Sequence, residues 1–193
     1  MSSILDSGER REFASGAVRD VQEGKGRCDL LPLDIVANLI MGVNEPLDPI
    51  LLSINSFIYT GHSFELLSAI HTFSTQHLGC DIYTSLLEVA KHYEEGALKY
   101  SPRNWEKGID LHCYIDSGVR HYLKFRRGDK DEPHDRAFIW NMLGAVWTYK
   151  HKPECIDLPF NEKRSCVASA VESDEAERVR QSLENYSRSF KEE

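Results

Sequence analysis

Glu88, His92 and Glu95 stand at i, i+4 and i+7 within LLEVAKHYEEGALKYSPRNW, residues 86–105. That spacing puts all three on one face of a helix. Carboxylates and imidazole can ligate a divalent cation, which can in turn hold phosphates. Leu86, Leu87, Val89, Ala90, Tyr93 and Ala97 supply apolar faces on either side. Burying such a stripe is costly unless something occupies it. A solvated helix face near two lysines is the other reading, and spacing alone leaves both open.

Three further sets could do related chemistry. His112, Asp116 and Arg120 are spaced by four, with His121 adjacent. Ile115, Val119 and Leu123 should line the core side of that helix, so this set lies off it. It reaches a ligand only where a neighbouring helix or loop covers it; otherwise Asp116–Arg120 is a surface ion pair of small worth. Asp131, Glu132 and Asp135 surround Pro133 at a helix start. Acidic residues favour that position with or without a ligand. The Glu132-x-x-Asp135 spacing nevertheless lets two carboxylates reach one ion, with Glu88 or Glu95 adding charge. In the third set, Arg19, Lys25 and Arg27 lie among Gly16, Gly24 and Gly26. Basic groups and glycine-exposed backbone N–H groups suit phosphate. The segment is not a P-loop, since it lacks G-x-x-x-x-G-K-[ST]. His62, His71, His77, His134 and His151 read as ordinary polar residues. No Ser/His/Asp arrangement or reactive-cysteine context is legible.

The elements that must position these sets read as helices. Residues 1–12 look like a polar, mobile lead and 13–31 like an ordered loop. Pro32 opens a helix over LDIVANLIMGV. Residues 44–61 carry turn signals around an apolar run that is strand or short helix. Residues 63–78 are moderately helical in pattern. Asp81 can start a helix running to about Tyr100, with Pro102 helping to end it. A helix from about Leu111 to Arg127 stops at Gly128, and Pro133 opens one that reaches about residue 150. Residues 151–171 read as irregular. Val179, Leu183, Tyr186 and Phe190 mark an amphipathic tail helix over 173–190. The expectation is an all-α bundle with segments 82–100, 111–127 and 134–150 packed together.

The 193 residues suit one domain with some decoration, and 41% hydrophobic residues supply a core. A net charge of -8 argues against direct DNA binding. It does not exclude a nucleotide, because Mg²⁺ can bridge carboxylates and phosphates. Five cysteines, none in a C-x-x-C pair, suit reduced thiols in a cytoplasm. The first residues, MSSILDSGERREF, lack the apolar run of a signal peptide, and no apolar stretch approaches ~18 residues. A soluble, cytoplasmic protein is expected.

Three strings, FASGAVRDVQEGKGRCDLLP, LLEVAKHYEEGALKYSPRNWEKG and CYIDSGVRHYLKFRRGDKDEPHDRAFIWNML, resemble the phage-encoded dATP/dGTP diphosphohydrolase N-terminal domain family. The most specific marks are Gly96, Ala97, Lys99, Tyr100, Asn104, Trp105 and Gly108, then Asp116, Arg120 and His121. The resemblance covers about residues 13–37 and 82–149. It implies a domain over 1–150, with 41–80 a family-variable insertion, followed by 151–193 as an irregular segment and tail helix.

That family is associated with MazG-like all-α nucleoside triphosphate pyrophosphohydrolases, often oligomeric, with Mg²⁺ on E-x-x-E and E-x-x-D helices. The resemblance therefore implies Mg²⁺-dependent cleavage of a purine deoxynucleoside triphosphate, dGTP or dATP, to monophosphate and pyrophosphate. Mn²⁺ is a substitute, a homo-oligomer is expected, and the site of action is the host cytoplasm if the chain is phage-encoded. Glu88, Glu95 and Asp116 would be catalytic. Glu88, His92, Glu95, Asp116, Glu132 and Asp135 would hold metal. Arg19, Lys25, Arg27, Lys99, Arg120 and His121 would hold phosphates, and Asn104 and Trp105 would contact base or sugar. The sequence departs from the pattern at Lys91, which stands where the second Glu of E-x-x-E belongs. That departure favours an alternative, a protein that sequesters a pool or signalling nucleotide without turnover. A helical adaptor with solvated acidic faces is a third reading.

Overall fold

The structure, a computed structural model, describes residues 9–21, 24–42 and 46–160. The chain divides into Met1–Leu158 and Pro159–Glu193. The expected tail helix at 173–190 lies outside the described residues.

Six α-helices and one two-stranded hairpin make up the described part. The hairpin pairs β1 (Arg10–Glu12) with β2 (Val18–Asp20), antiparallel, with Arg11 opposite Arg19. Helices follow as α1 (Leu33–Met41), α2 (Pro49–Thr60), α3 (Phe64–Thr72), α4 (Ile82–Lys99), α5 (Leu111–Arg127) and α6 (His134–His151). The all-α reading holds, and α4, α5 and α6 fall where the apolar periodicity puts them. One segment differs from expectation and another resolves an open alternative. Residues 10–12, read as part of a mobile lead, form a strand, and the loop after them contributes its partner. Strands of three residues are too short to show an alternating pattern. Residues 49–60, undecided between strand and helix, form α2. Asp48 caps it by accepting from the N–H groups of Ile50 and Leu51, both at 3.0 Å, and Pro49 occupies the first turn.

The end signals have direct physical effects. The Asp81 side chain accepts from Thr84 N at 2.9 Å and so starts α4. Gly128 ends α5 in the left-handed region at φ 88°, where its N–H reaches Lys124 O at 3.0 Å. The short turn after it sends α6 back along α5.

Helix α6 is the centre of the bundle, in contact with α3, α4 and α5. Its buried residues, including Ala137, Phe138, Ile139, Met142, Ala145 and Val146, surround its axis rather than forming one stripe. A helix covered all round needs small residues where neighbours approach closely. A Cβ on Gly144 would stand 2.3 Å from Tyr114 Cε1, and one on Gly118 would stand 2.2 Å from Met142 Cε. The α5–α6 contact therefore rests chiefly on Gly144 against the Tyr114 ring, since the Met142 methyl facing Gly118 ends a flexible side chain. Phe73, in a π-turn over Phe73–His77 that extends α3, closes the other end. Its ring centroid lies 4.6 Å from that of Phe138 and 4.9 Å from that of Phe125.

Helix α4 is peripheral. Only Ser85, Val89 and His92 are buried along it, while Leu86 and Leu87 are exposed, contrary to the expected apolar faces. Gly144 is the most sensitive point of this packing. Gly144→Ala should cost about 1–3 kcal/mol, the range for overpacking a tight core, despite the higher helix propensity of alanine. Urea unfolding monitored by circular dichroism would show it; unchanged or raised stability would mean that Tyr114 moves aside freely.

Candidate functional site: a cationic, aromatic-walled cavity

The hairpin, α4, α5 and α6 enclose a cavity of about 580 Å³. Two long-range anchors fold the N-terminal segment over it. Asn104, in a 3-10 turn after α4, acts as a strand partner: its Nδ2 donates to Val18 O at 2.8 Å and its Oδ1 accepts from Val18 N at 3.0 Å. Asp116, fully buried on α5, accepts from Cys28 N at 2.6 Å and from Arg120 Nη2, which also donates to Gly26 O at 3.0 Å. The set on α5 was expected to lie off the core. Asp116 is buried because the 3-10 turn Cys28–Leu30 packs on that side of the helix.

Six cationic side chains line the cavity: Arg11, Arg19, Lys25, Arg103, Arg120 and Lys124. Asp20 and Glu132 are the carboxylates at its wall. Arg19 reaches inward from β2. Its Nη2 donates to Asn141 Oδ1 at 2.9 Å, and its guanidinium lies 5.2 Å from the Tyr114 ring and 5.5 Å from the Trp140 ring. Its Nη1 is buried with no hydrogen-bond partner among the described residues, as is Arg120 Nε. Burying such donors without a partner carries a substantial free-energy penalty. Lys25 is exposed at the rim and has no ion pair among the described residues. Phe13, Tyr93, Tyr100, Trp105 and Trp140 supply aromatic wall. The Trp105 and Tyr93 rings meet edge to face at 5.7 Å, and Trp105 is fixed from behind by Trp147 at 4.9 Å.

The cavity gathers Arg19, Lys25, His92, Asn104, Trp105, Arg120, His121 and Glu132 from the expected site residues, and leaves the others aside. Glu88 is on the solvent side of α4, ion-paired with Lys91. Glu95 lies 3.5 Å from Arg136. Arg27 forms a two-pronged pair with Asp29 at 2.7 and 2.6 Å. Lys99 is held by Asp20 at 2.7 Å behind the wall, where Tyr100 Oη also donates to Asp20 at 2.8 Å. Asp135 is half-buried in the first turn of α6 and is not at the wall. Among the described residues, the groups near enough to share an ion are His121/Glu132/His134, Asp129/Asp131/His134 and Asp110/His112/Cys113. The six expected metal ligands do not converge. Glu88 pairs with Lys91 on the bundle surface, Glu95 is half-buried beside Arg136, and Asp116 is engaged in holding the N-terminal segment. An oxygen-rich Mg²⁺ cage of those six residues does not fit this geometry.

Three wall residues, and His134 next to the wall residue His121, escape sequence reading. Arg11 sits in the segment read as a mobile lead. Trp140 and Asn141 look like core residues of α6. His134, read as an ordinary polar residue, is buried with its Nδ1 3.0 Å from His121 Nδ1. The signal that could have found it is register, since His121 and His134 stand at similar distances on either side of the Gly128 turn.

Burial, then the nearby Arg136 and Arg19, pulls the His92 pKa down to about 4. Burial, then the neighbouring His134 and His92 rings and the Arg120 and Arg19 guanidiniums, holds His121 well below the usual imidazole range. Both rings are neutral near pH 7.

The fold and this cavity define an all-α protein with a pre-formed cavity lined by cationic and aromatic side chains. Residues 75–157 match the family described as dATP/dGTP diphosphohydrolase, N-terminal, which supports the resemblance drawn from the motifs. No curated protein and no solved structure matches the chain. No helix among the described residues is long and apolar enough to cross a membrane.

The histidine burial sets a pH dependence. The folded pKa of His92 lies below the unfolded value near 6.5, so the unfolded chain takes up this proton first as pH falls. Stability from a neutral His92 is complete above about pH 6.5 and is lost as pH falls toward 4. The thermal midpoint should therefore drop between pH 7 and pH 5, and His92→Asn should flatten that drop. An identical slope in the variant would remove His92 as its source.

Proposed function

We propose that the cavity binds a purine deoxynucleoside triphosphate, dGTP or dATP, and that the chain hydrolyses it to the monophosphate and pyrophosphate. The observation that carries the reading is the buried Arg19 Nη1 without a partner, set between aromatic walls in a cavity with five other cationic side chains. A phosphate oxygen would complete that donor's hydrogen bonding and offset the cost of burying the charge. The family match over residues 75–157 supports a nucleotide as the anion. Trp105, Tyr93 and Trp140 offer faces or edges to a purine, while Lys25, Arg120 and Lys124 are placed for the outer phosphates.

In this reading Glu132 orients the attacking water and takes its proton. The water oxygen bonds to the α-phosphorus, the bond to the α–β bridging oxygen breaks, and pyrophosphate leaves with that electron pair. A divalent cation, Mg²⁺ or Mn²⁺, would neutralise triphosphate charge, with Glu132 and the phosphates as its ligands. Glu132 thus takes the role expected of Glu88. Arg19 and Arg120 stabilise charge on the phosphoryl oxygens.

A second reading is sequestration of the nucleotide without turnover. The dispersal of Glu88, Glu95, Asp116 and Asp135 away from the cavity favours it, because only Glu132 and Asp20 remain there to aid hydrolysis.

Incubating the protein with dGTP or dATP and Mg²⁺, and reading both binding and released pyrophosphate, separates the two. Pyrophosphate formation is expected for the wild type. Arg19→Ala should weaken nucleotide binding about 10- to 100-fold, the loss of one charge-assisted hydrogen bond to an ionised group. Glu132→Gln should abolish release while Glu88→Gln stays near wild type. Tight binding without release would select sequestration, and absence of nucleotide binding would end both readings.

A further inference from the structure

The α5–α6 turn brings His121, Glu132 and His134 into one vertex. His121 Nδ1 and His134 Nδ1 are 3.0 Å apart, and each lies 3.6 Å from Glu132 Oε1. Two ligands that share an ion at bond lengths near 2.0–2.2 Å stand roughly 2.8–3.6 Å apart in adjacent positions, tetrahedral or octahedral. All three edges fall in that range. The side chains are largely shielded, with 1% of His134, 15% of His121 and 16% of Glu132 exposed.

The second partner of His134 fixes which nitrogen is available. Its Nε2 lies 2.8 Å from Asp131 Oδ1, and an ionised carboxylate only accepts hydrogen bonds. Nε2 therefore carries the proton, and Nδ1 accepts from His121 Nδ1–H; when an ion takes both Nδ1 lone pairs, the His121 proton moves to its Nε2. A carboxylate behind a histidine in this way is how metal-ligating imidazoles are commonly oriented. Lys124 Nζ holds the other oxygen of Asp131 at 2.8 Å. His121 and Glu132 line the cavity, so the vertex opens on it.

We infer that His121, Glu132 and His134 form a binding site for one first-row transition ion, such as Zn²⁺, Mn²⁺ or Co²⁺. Two imidazole nitrogens and one carboxylate suit these ions better than Mg²⁺, which prefers oxygen donors and retains water. Nearby cations oppose the ion. Lys124 Nζ is 4.0 Å from Glu132 Oε1, and Arg19 and Arg120 share the cavity. The Glu132 and Asp131 carboxylates counter them. The site goes beyond the nucleotide reading and does not depend on it.

The test uses the full chain, stripped of metal and free of nucleotide. Titration with Co²⁺ followed by visible d–d absorption, and with Zn²⁺ by calorimetry, should give one ion per chain. Excess Mg²⁺ should not displace it. Glu132→Gln and His121→Asn should each weaken binding at least tenfold, and Asp131→Asn should do so by about 10- to 100-fold. His151→Asn should match the wild type. These variants sit at the cavity edge or on the surface, and circular dichroism verifies their fold, so the test does not depend on the buried His134. Asp110, His112 and Cys113 form the competing group. Loss of binding in Cys113→Ser with retention in Glu132→Gln would overturn the assignment. So would a folded wild type that binds neither Co²⁺ nor Zn²⁺ stoichiometrically.

Discussion

One buried carboxylate holds the N-terminal segment in place. Asp116 is completely covered, and its oxygens engage Cys28 N and Arg120, while Arg120 also grips Gly26 O. A buried charge is tolerated only with such partners, and removing one partner of a buried pair typically costs about 3–5 kcal/mol. The consequence is positional. Residues 24–30 are pinned to α5, which brings Lys25 to the cavity rim. The matching anchor, Asn104 on Val18, fixes β2 and so aims Arg19 inward. Without these two contacts the glycine-rich segment would have little reason to order, because its own strands are only three residues long.

The same anchors explain how an acidic chain presents a basic interior site. The net charge is -8, yet among the described residues six basic side chains reach the cavity and only two carboxylates do. Many acidic groups are spent elsewhere: Glu88 on Lys91, Asp29 on Arg27, and Asp48 on Arg126. Local arrangement, not net charge, sets what the cavity attracts, and partial enclosure strengthens each charge there relative to water. The unpartnered Arg19 Nη1 and Arg120 Nε mark where the protein alone leaves that arrangement incomplete.

Local information made the helical core legible. The segments of α4, α5 and α6 each carry helical apolar spacing, and Asp81, Gly128 and Pro133 mark their ends in ways the structure realises. The basic residues among glycines were legible as one set, of which Arg19 and Lys25 line the cavity while Arg27 pairs with Asp29 away from it. What stayed hidden depends on long-range contact. Spacing puts Glu88, His92 and Glu95 on one face, but it does not say that α6 covers His92 and leaves Glu88 in solvent. Nor does it say that residues 28–30 bury Asp116, or that a helical turn sets His134 against His121. The hairpin was missed because a three-residue strand has no period to detect.

The central proposal is that residues 16–21 and 24–29 hold a wall of a nucleotide site in place. Amide hydrogen exchange, with and without dGTP, tests it most directly. The account predicts slow exchange at Val18 and Cys28, whose N–H groups are held by Asn104 and Asp116, and further slowing across the segment when dGTP binds. Exchange at free-peptide rates through residues 16–21 and 24–29, unchanged by saturating dGTP, would contradict it.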